Sequence, residues 1–252
     1  MSNTIIKAVT FDLWDTVFID DSDEPKRKEQ GLPLKSIERR NLVEQFLKSH
    51  LDISRDQIDI AYNTVDAAFR QVWYGQSITW TVTERLSVLL KGIGYELPEE
   101  RLKELVKLHE EMELQFKPDL AENIAEAIEK LSEKYLLGVI SDAIFSPGRV
   151  LRQILEDYGL KKYFKAFVFS DEIQYSKPAA ITFQDAAKQL GVNVQEIVHI
   201  GDRQKKDIEG PQALGAKAIY TTVVKDRGSQ NTSADAICRN YKELLSIVDN
   251  IK

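Results

Sequence analysis

Two periodicities divide this chain. Residues 5–11 (IIKAVTF), 136–140 (LLGVI), 166–169 (AFVF), 197–200 (IVHI) and 217–220 (KAIY) are short apolar runs rich in β-branched side chains, the composition of strands buried on both faces of a parallel sheet. Between the first and second runs the period becomes helical. Leu42, Val43, Phe46 and Leu47 form one apolar stripe, and Ile58, Ala61, Tyr62, Val65, Phe69 and Val72 a second. Ser54 with Gln57 and Thr81 with Glu84 have capping-box spacing, and Pro98 suits the start of a helix carrying Leu102, Leu105, Val106, Met112 and Phe116. The charged segment 20–31 (DDSDEPKRKEQG) reads as a solvated loop or hinge.

After Pro118 helices and strands alternate. Asp119 with Glu122 is spaced to cap a helix reaching about Lys134, Ser146-Pro147 opens another that Gly159 closes, and a helix over 179–190 stops at Gly191. Residues 235–248 (DAICRNYKELLSIV) read as a C-terminal helix. Alternating strands and helices imply an α/β fold with a doubly wound parallel sheet, here with an all-helical insertion. The expected division is a core of residues 1–17 and 118–252 and a helical unit of residues 18–117.

Composition narrows the function. The 252 residues include 34 Lys and Arg against 40 Asp and Glu, a net charge of −6, so the overall field disfavours nucleic acid and anionic lipid. No apolar run approaches the length that spans a bilayer, and the start MSNTIIK has no secretory apolar core; the expectation is a cytoplasmic protein without membrane or nucleic-acid partners. Cys238 is the sole cysteine, which excludes an internal disulfide and a cysteine metal cluster.

Four of the five runs break off into acids or hydroxyls: Asp12, Ser141-Asp142, Ser170-Asp171 and Asp202. In an open α/β sheet the carboxyl ends of the strands border the ligand crevice, so these side chains would meet there. A carboxylate can attack an electrophile covalently, but several together require neutralisation. Hard oxygen donors select Mg²⁺. Asp202 and Asp207 suit that role, and Lys177 supplies a fixed positive charge.

In FDLWDT (11–16), VISDA, YSKPA and HIGDRQKKD, taken in that order, the chain resembles the haloacid dehalogenase-like hydrolase superfamily over nearly its whole length. The resemblance implies a Rossmann-like core with a helical cap. It implies Asp12 as nucleophile, Thr16 as the threonine of the first motif, Ser141 as the hydroxyl binding the transferring group, and Lys177 restraining the nucleophile's charge. It also implies Mg²⁺ held by Asp12, the residue 14 carbonyl, Asp202 and Asp207. Asp142 and Arg203 adjoin these motifs as weaker substrate contacts. One position departs from the pattern: Trp14 stands where most phosphatases of the family carry the acid that protonates the leaving oxygen.

The expected activity is therefore a Mg²⁺-dependent phosphatase of a small phosphorylated metabolite, acting through an aspartyl-phosphate, as a monomer or homodimer. A metal-independent 2-haloacid dehalogenase is an alternative, because halide leaves without a proton; Asp202 weighs against it. A non-catalytic binding module, with Trp14 blocking turnover, is a third. Away from these motifs, His109 and His199 read as packing residues. Trp73, Tyr74 and Trp80 read as junction core, with closure over an apolar substrate as the alternative, and Arg39 and Arg40 as an exposed helical face, with a substrate carboxylate as the alternative contact.

Overall fold

Strand β1 (Ala8–Phe11) consists of four wholly buried residues and lies inside the sheet. The first four residues and Lys252 lie outside the 5–251 described by the computed structural model, so the start of the segment MSNTIIK falls there. Helices α1 (Asp23–Glu29), α2 (Lys35–Leu47), α3 (Arg55–Gln76), α4 (Val82–Gly92), α5 (Glu99–Glu110) and α6 (Met112–Gln115) follow. Next come α7 (Ile124–Ser132), β2 (Leu136–Ser141), α8 (Gly148–Asp157), β3 (Phe164–Phe169), α9 (Ser170–Ile173) and α10 (Ala180–Leu190). Strand β4 (Ile197–Gly201) leads into a π-helical turn (Gln204–Glu209) and α11 (Gly210–Gln212). Then β5 (Lys217–Thr221), β6 (Ala236–Cys238) and α12 (Leu244–Asn250) complete the chain.

Among the described residues the sheet has six strands, all parallel, in the order β3-β2-β1-β4-β5-β6. The sheet is therefore a doubly wound α/β sheet of Rossmann-like type. Its order reverses at β1, with β2 on one side and β4 on the other. That reversal opens a crevice at the carboxyl ends of these strands, which carry Asp12, Ser141 and Asp202. The main apolar core packs Val9, Phe11, Val139 and Ile200 against Ile128, Leu151 and Leu244.

The helices between β1 and β2 have an apolar core of their own. Leu42, Val43 and Leu47 pack with Ile58, Tyr62, Leu86, Leu89 and Leu105. Both capping boxes form as the sequence spacing requires, at Ser54 and at Thr81. His109 is fully buried, its Nδ1 donating to the Leu105 carbonyl at 2.8 Å and its ring stacked on Tyr62. Among the described residues no helix is long and apolar enough to cross a membrane.

Several elements differ from their sequence expectation. Residues 20–31 are not a fully solvated loop but contain α1, because Asp23 and Arg27 are buried. Asp23 accepts from Lys35 Nζ at 2.8 Å, and the Arg27 guanidinium lies over Phe116. The helix expected through Phe116 breaks at Glu111, where φ is −100°, and resumes as α6. Asp119 caps nothing: Lys26 takes its carboxylate, and α7 begins only after Asn123, whose φ of 62° interrupts helical geometry. Cys238 is not helical but ends β6, an edge strand of three residues, too short to show a period. Asn240 caps the short turn after it by accepting from Lys242 N.

Burial pulls the His109 pKa down to about 4. The unfolded chain therefore takes up a proton near pH 6.5 that the folded chain refuses, so this residue's stabilisation is complete above pH 6.5 and is lost as pH falls towards 4. Urea unfolding at pH 7 and pH 4.5 should show wild type losing about 2 kcal/mol more than His109→Phe across that interval. Equal losses would mean that His109 is not held neutral.

Candidate functional site at the carboxyl ends of β1, β2 and β4

The end of β1 places Asp12 beside β4, its amide donating to the Ile200 carbonyl at 2.9 Å. The Leu13 carbonyl then accepts from the amides of Thr16, Val17 and Phe18. This tight turn forces Asp15 to a φ of 55°. At the end of β4, Gly201 allows Asp207 to approach: a Cβ there would lie 2.4 Å from Asp207 Cγ. The π-helical turn after Asp202 brings both Lys206 and Asp207 inward, and both are buried. Such turns are frequent at functional sites.

Asp12, Asp202 and Asp207 are buried, and each offers a carboxylate oxygen within 4.8 Å of the others. Lys177 Nζ bridges two of them, at 2.8 Å from Asp12 Oδ1 and 2.6 Å from Asp207 Oδ1. Its backbone amide donates to Asp142 Oδ1 at 3.0 Å. Asp207 Oδ2 accepts the Arg203 amide at 2.9 Å, and His199 joins Thr10 Oγ1 to Asp207 Oδ1. His199 packs on Phe183 as expected, but it also orients this carboxylate.

Burial first, then repulsion from Asp207 and Asp202, outweighs Lys177 and raises the Asp12 pKa to about 7. Burial also pushes Asp207 up, but Lys177 and the His199 hydrogen bond prevail and hold it well below the usual carboxylate range. Asp202 is raised by burial and by Asp207, against the pull of Arg227. Lys177, although desolvated, is raised by Asp12, Asp207 and Asp142. His199 is depressed to about 4 by burial.

The residues singled out in the sequence do not all reach the same surface. Asp12, Trp14, Asp142, Lys177, Arg203 and Asp207 line a cavity of about 490 Å³. Ser141, Thr16 and Asp202 are buried next to residues of that lining. The Ser141 and Thr16 hydroxyls and Asp202 Oδ1 are buried without a hydrogen-bond partner. Trp14 packs edge-on against Phe18. The Asp15 side chain turns to Arg227 Nη2, 2.5 Å away, and to the Asp20 amide, whereas Asp20 and Asp21 line the cavity with Asp12.

Other members of the site were invisible in the sequence. Arg227 bridges Asp15 and Asp202 from a loop 212 residues after Asp15. Lys206 pairs with Asp142 at 2.7 Å and stands 3.3 Å above the Trp73 ring. Trp73, expected as junction core, lines the cavity, whereas Tyr74 is half-exposed at its edge and Trp80 lies tilted against Phe69. Arg39 is not on an exposed face but buried in the cavity wall; Arg40 is partly exposed and binds Asn63. The only advance signal for Arg39 was its place one turn before the buried pair Leu42 and Val43.

The chain is similar to known proteins in sequence and in fold. Over 221 residues the chain is 29% identical to a glyceraldehyde 3-phosphate phosphatase of Methanopyrus kandleri, covering 85% of this chain and 83% of that protein. In fold it is similar to a HAD phosphatase from Thermococcus onnurineus, with a TM-score of 0.64 at 23% identity over 96% of this chain and 98% of the other. It is also similar to a 2-haloacid dehalogenase from Pseudomonas syringae pv. Tomato DC3000, with a TM-score of 0.65 at 22% identity over 97% and 99%. Residues 55–221 match the family model described as haloacid dehalogenase-like hydrolase, and the chain belongs to that family of hydrolases.

Proposed function

We propose that this hydrolase is a Mg²⁺-dependent phosphatase of small phosphorylated metabolites, with residues 18–117 serving as a cap over the site. The observation that carries this reading is the set of three buried carboxylates, one of them keeping an unpartnered oxygen, Asp202 Oδ1. A hard divalent cation satisfies such an oxygen-only donor set. The donors for it are Asp12, the Trp14 carbonyl, Asp202 and Asp207. When bound, Mg²⁺ supplies positive charge that offsets the carboxylates and the phosphoryl oxygens. The similarity to a glyceraldehyde 3-phosphate phosphatase supports a phosphorylated carbohydrate or a related small ester as substrate.

In this reading Lys177 holds Oδ1 of Asp12, leaving Oδ2 to attack phosphorus. The bond from phosphorus to the ester oxygen breaks, the alcohol leaves with a proton taken from solvent, and Asp12 carries the phosphoryl group until water hydrolyses it. Ser141, whose hydroxyl has no other partner, and Lys177 grip the phosphoryl oxygens. Alignment and charge stabilisation supply most of the acceleration in phosphoryl transfer. Trp14 provides no proton, so esters with good leaving groups are the better substrates. The same residue favours a second reading, 2-haloacid dehalogenation, in which halide leaves unprotonated; the buried carboxylate Asp202 weighs against it.

Asp12→Asn should abolish p-nitrophenyl phosphate hydrolysis, and EDTA should abolish it in wild type until Mg²⁺ is restored; chloride release from 2-chloropropionate that ignores EDTA would select the dehalogenase instead. Trp14→Asp should raise kcat on an alkyl phosphate by about 10²-fold, the usual worth of general acid catalysis, while changing p-nitrophenyl phosphate turnover far less. Mg²⁺ should raise the unfolding temperature of wild type more at pH 8 than at pH 5.5. The sign follows from Asp12: its raised pKa costs the metal-free fold stability as pH climbs from about 4 to 7, and a cation that binds the ionised form recovers it. A shift that is equal at both pH values, or retained in Asp202→Asn, would contradict the metal assignment.

A further inference from the structure

The cavity extends from Asp12 to a second polar centre on the helices between β1 and β2. Lys35 and Arg39 from α2, Arg85 from α4 and Glu113 from α6 meet there, all buried. Most of these groups are satisfied. Lys35 Nζ reaches Asp23 at 2.8 Å and Glu113 Oε1 at 3.2 Å. Arg85 donates to Asp66 Oδ1 at 2.7 Å and to the Ile144 carbonyl at 3.0 Å. Glu113 Oε2 accepts from Ser146 at 2.5 Å.

Arg39 is the exception. Its side chain is 7% exposed, yet its guanidinium makes no hydrogen bond among the described residues. Nε is buried without an acceptor, and Nη2 stands 3.7 Å from Glu113 Oε1, an oxygen Lys35 already holds. A buried Nε donor without an acceptor is costly, because a desolvated donor left unpaired loses the hydrogen bonds water supplied. Glu113 balances the charge of Arg39 but does not satisfy its donors. Packing holds the fork in place nonetheless: it lies 3.6 Å above the Phe145 ring, and Arg85 lies 4.1 Å from that same ring. The neighbouring positive charge of Arg85 opposes that of Arg39, and so does burial. A flat guanidinium fixed on an aromatic face with a free edge is suited to bidentate recognition of an oxyanion.

We propose that Arg39 forms a second anion site in this cavity, binding a carboxylate or second phosphate carried by the organic part of the substrate while the phosphoryl group sits at Asp12. The inference rests on the phosphatase reading and narrows it, from phosphate esters in general to those with a second anionic group. The walls between the two ends are consistent with a short carbon skeleton: Trp14, Phe69, Trp73 and Ile144 supply apolar surface.

The test compares kcat/KM in the Mg²⁺-loaded enzyme for 3-phosphoglycerate, propane-1,3-diyl bisphosphate and glycerol 3-phosphate, whose tail is neutral. Wild type should favour at least one of the doubly anionic esters by tenfold or more, and the preferred one identifies the tail. Arg39→Met should bring that ratio to about one, and Arg39→Lys, a point charge without the fork, should restore part of it, each variant first checked for an unchanged unfolding temperature. No preference in wild type, or a preference that Arg39→Met keeps, overturns the proposal. Failure to hydrolyse any of the three esters counts against the phosphatase reading instead. The anion site is then decided by calorimetry, where 3-phosphonopropionate should bind at least tenfold more tightly than propylphosphonate in wild type and not in Arg39→Met. Equal affinities in wild type overturn it.

Discussion

Lys177 stands between Asp12 and Asp207, all three buried, with Asp202 the third acid of the group. Three carboxylates at such spacing repel one another strongly in a low-dielectric interior, and one buried ammonium offsets only part of that repulsion. The protein adds Arg227 on the outer side of Asp202 and hydrogen bonds from His199 and the Arg203 amide to Asp207. The acids consequently differ in their protonation: Asp207 is held ionised, and Asp12 is pushed towards the neutral form. A group poised in this way becomes a fully charged nucleophile when further positive charge arrives, and this couples the proposed metal to the proposed chemistry.

The backbone around Lys177 shows how this arrangement is shared between sheet and helices. Gly201 admits Asp207 where any side chain would exclude it. The segment before Lys177 is tied to the connection between α3 and α4, Thr79 N donating to the Gln174 carbonyl and Ser176 N to the Ser77 carbonyl. Lys206 makes a second tie, one face on Asp142 and the other on Trp73 of α3. The elements that position the charge at Asp12 thus also position the cavity wall that contains Arg39. In the proposed reading, selection of the substrate's tail and placement of its phosphoryl group are therefore parts of one packed structure.

Much of this was legible in the chain before any coordinates. Strands β1 and β4 at the centre of the sheet are short, wholly buried and mostly apolar, so their existence and the acids that follow them could be read directly. Capping boxes at Ser54 and Thr81 are local and formed as their spacing demands. Elements whose stability comes from distant partners could not be read in this way. Helix α1 depends on Lys35 and Phe116, β6 on pairing with β5, and the failed cap at Asp119 on the competition of Lys26.

The sequence by itself determined the alternation of strand and helix and the order of Asp12, Ser141, Lys177 and Asp202 along the chain. It also carried the replacement of an acid by Trp14. These follow from side-chain chemistry and from spacings of a few residues. Only the tertiary structure decided that Arg227 closes on Asp15 and Asp202, and that Arg39 is buried in the cavity wall with its Nε unpartnered. The physical reason is that the energy of a charge depends on burial and on neighbours brought in by folding, and neither has any local signature along the chain.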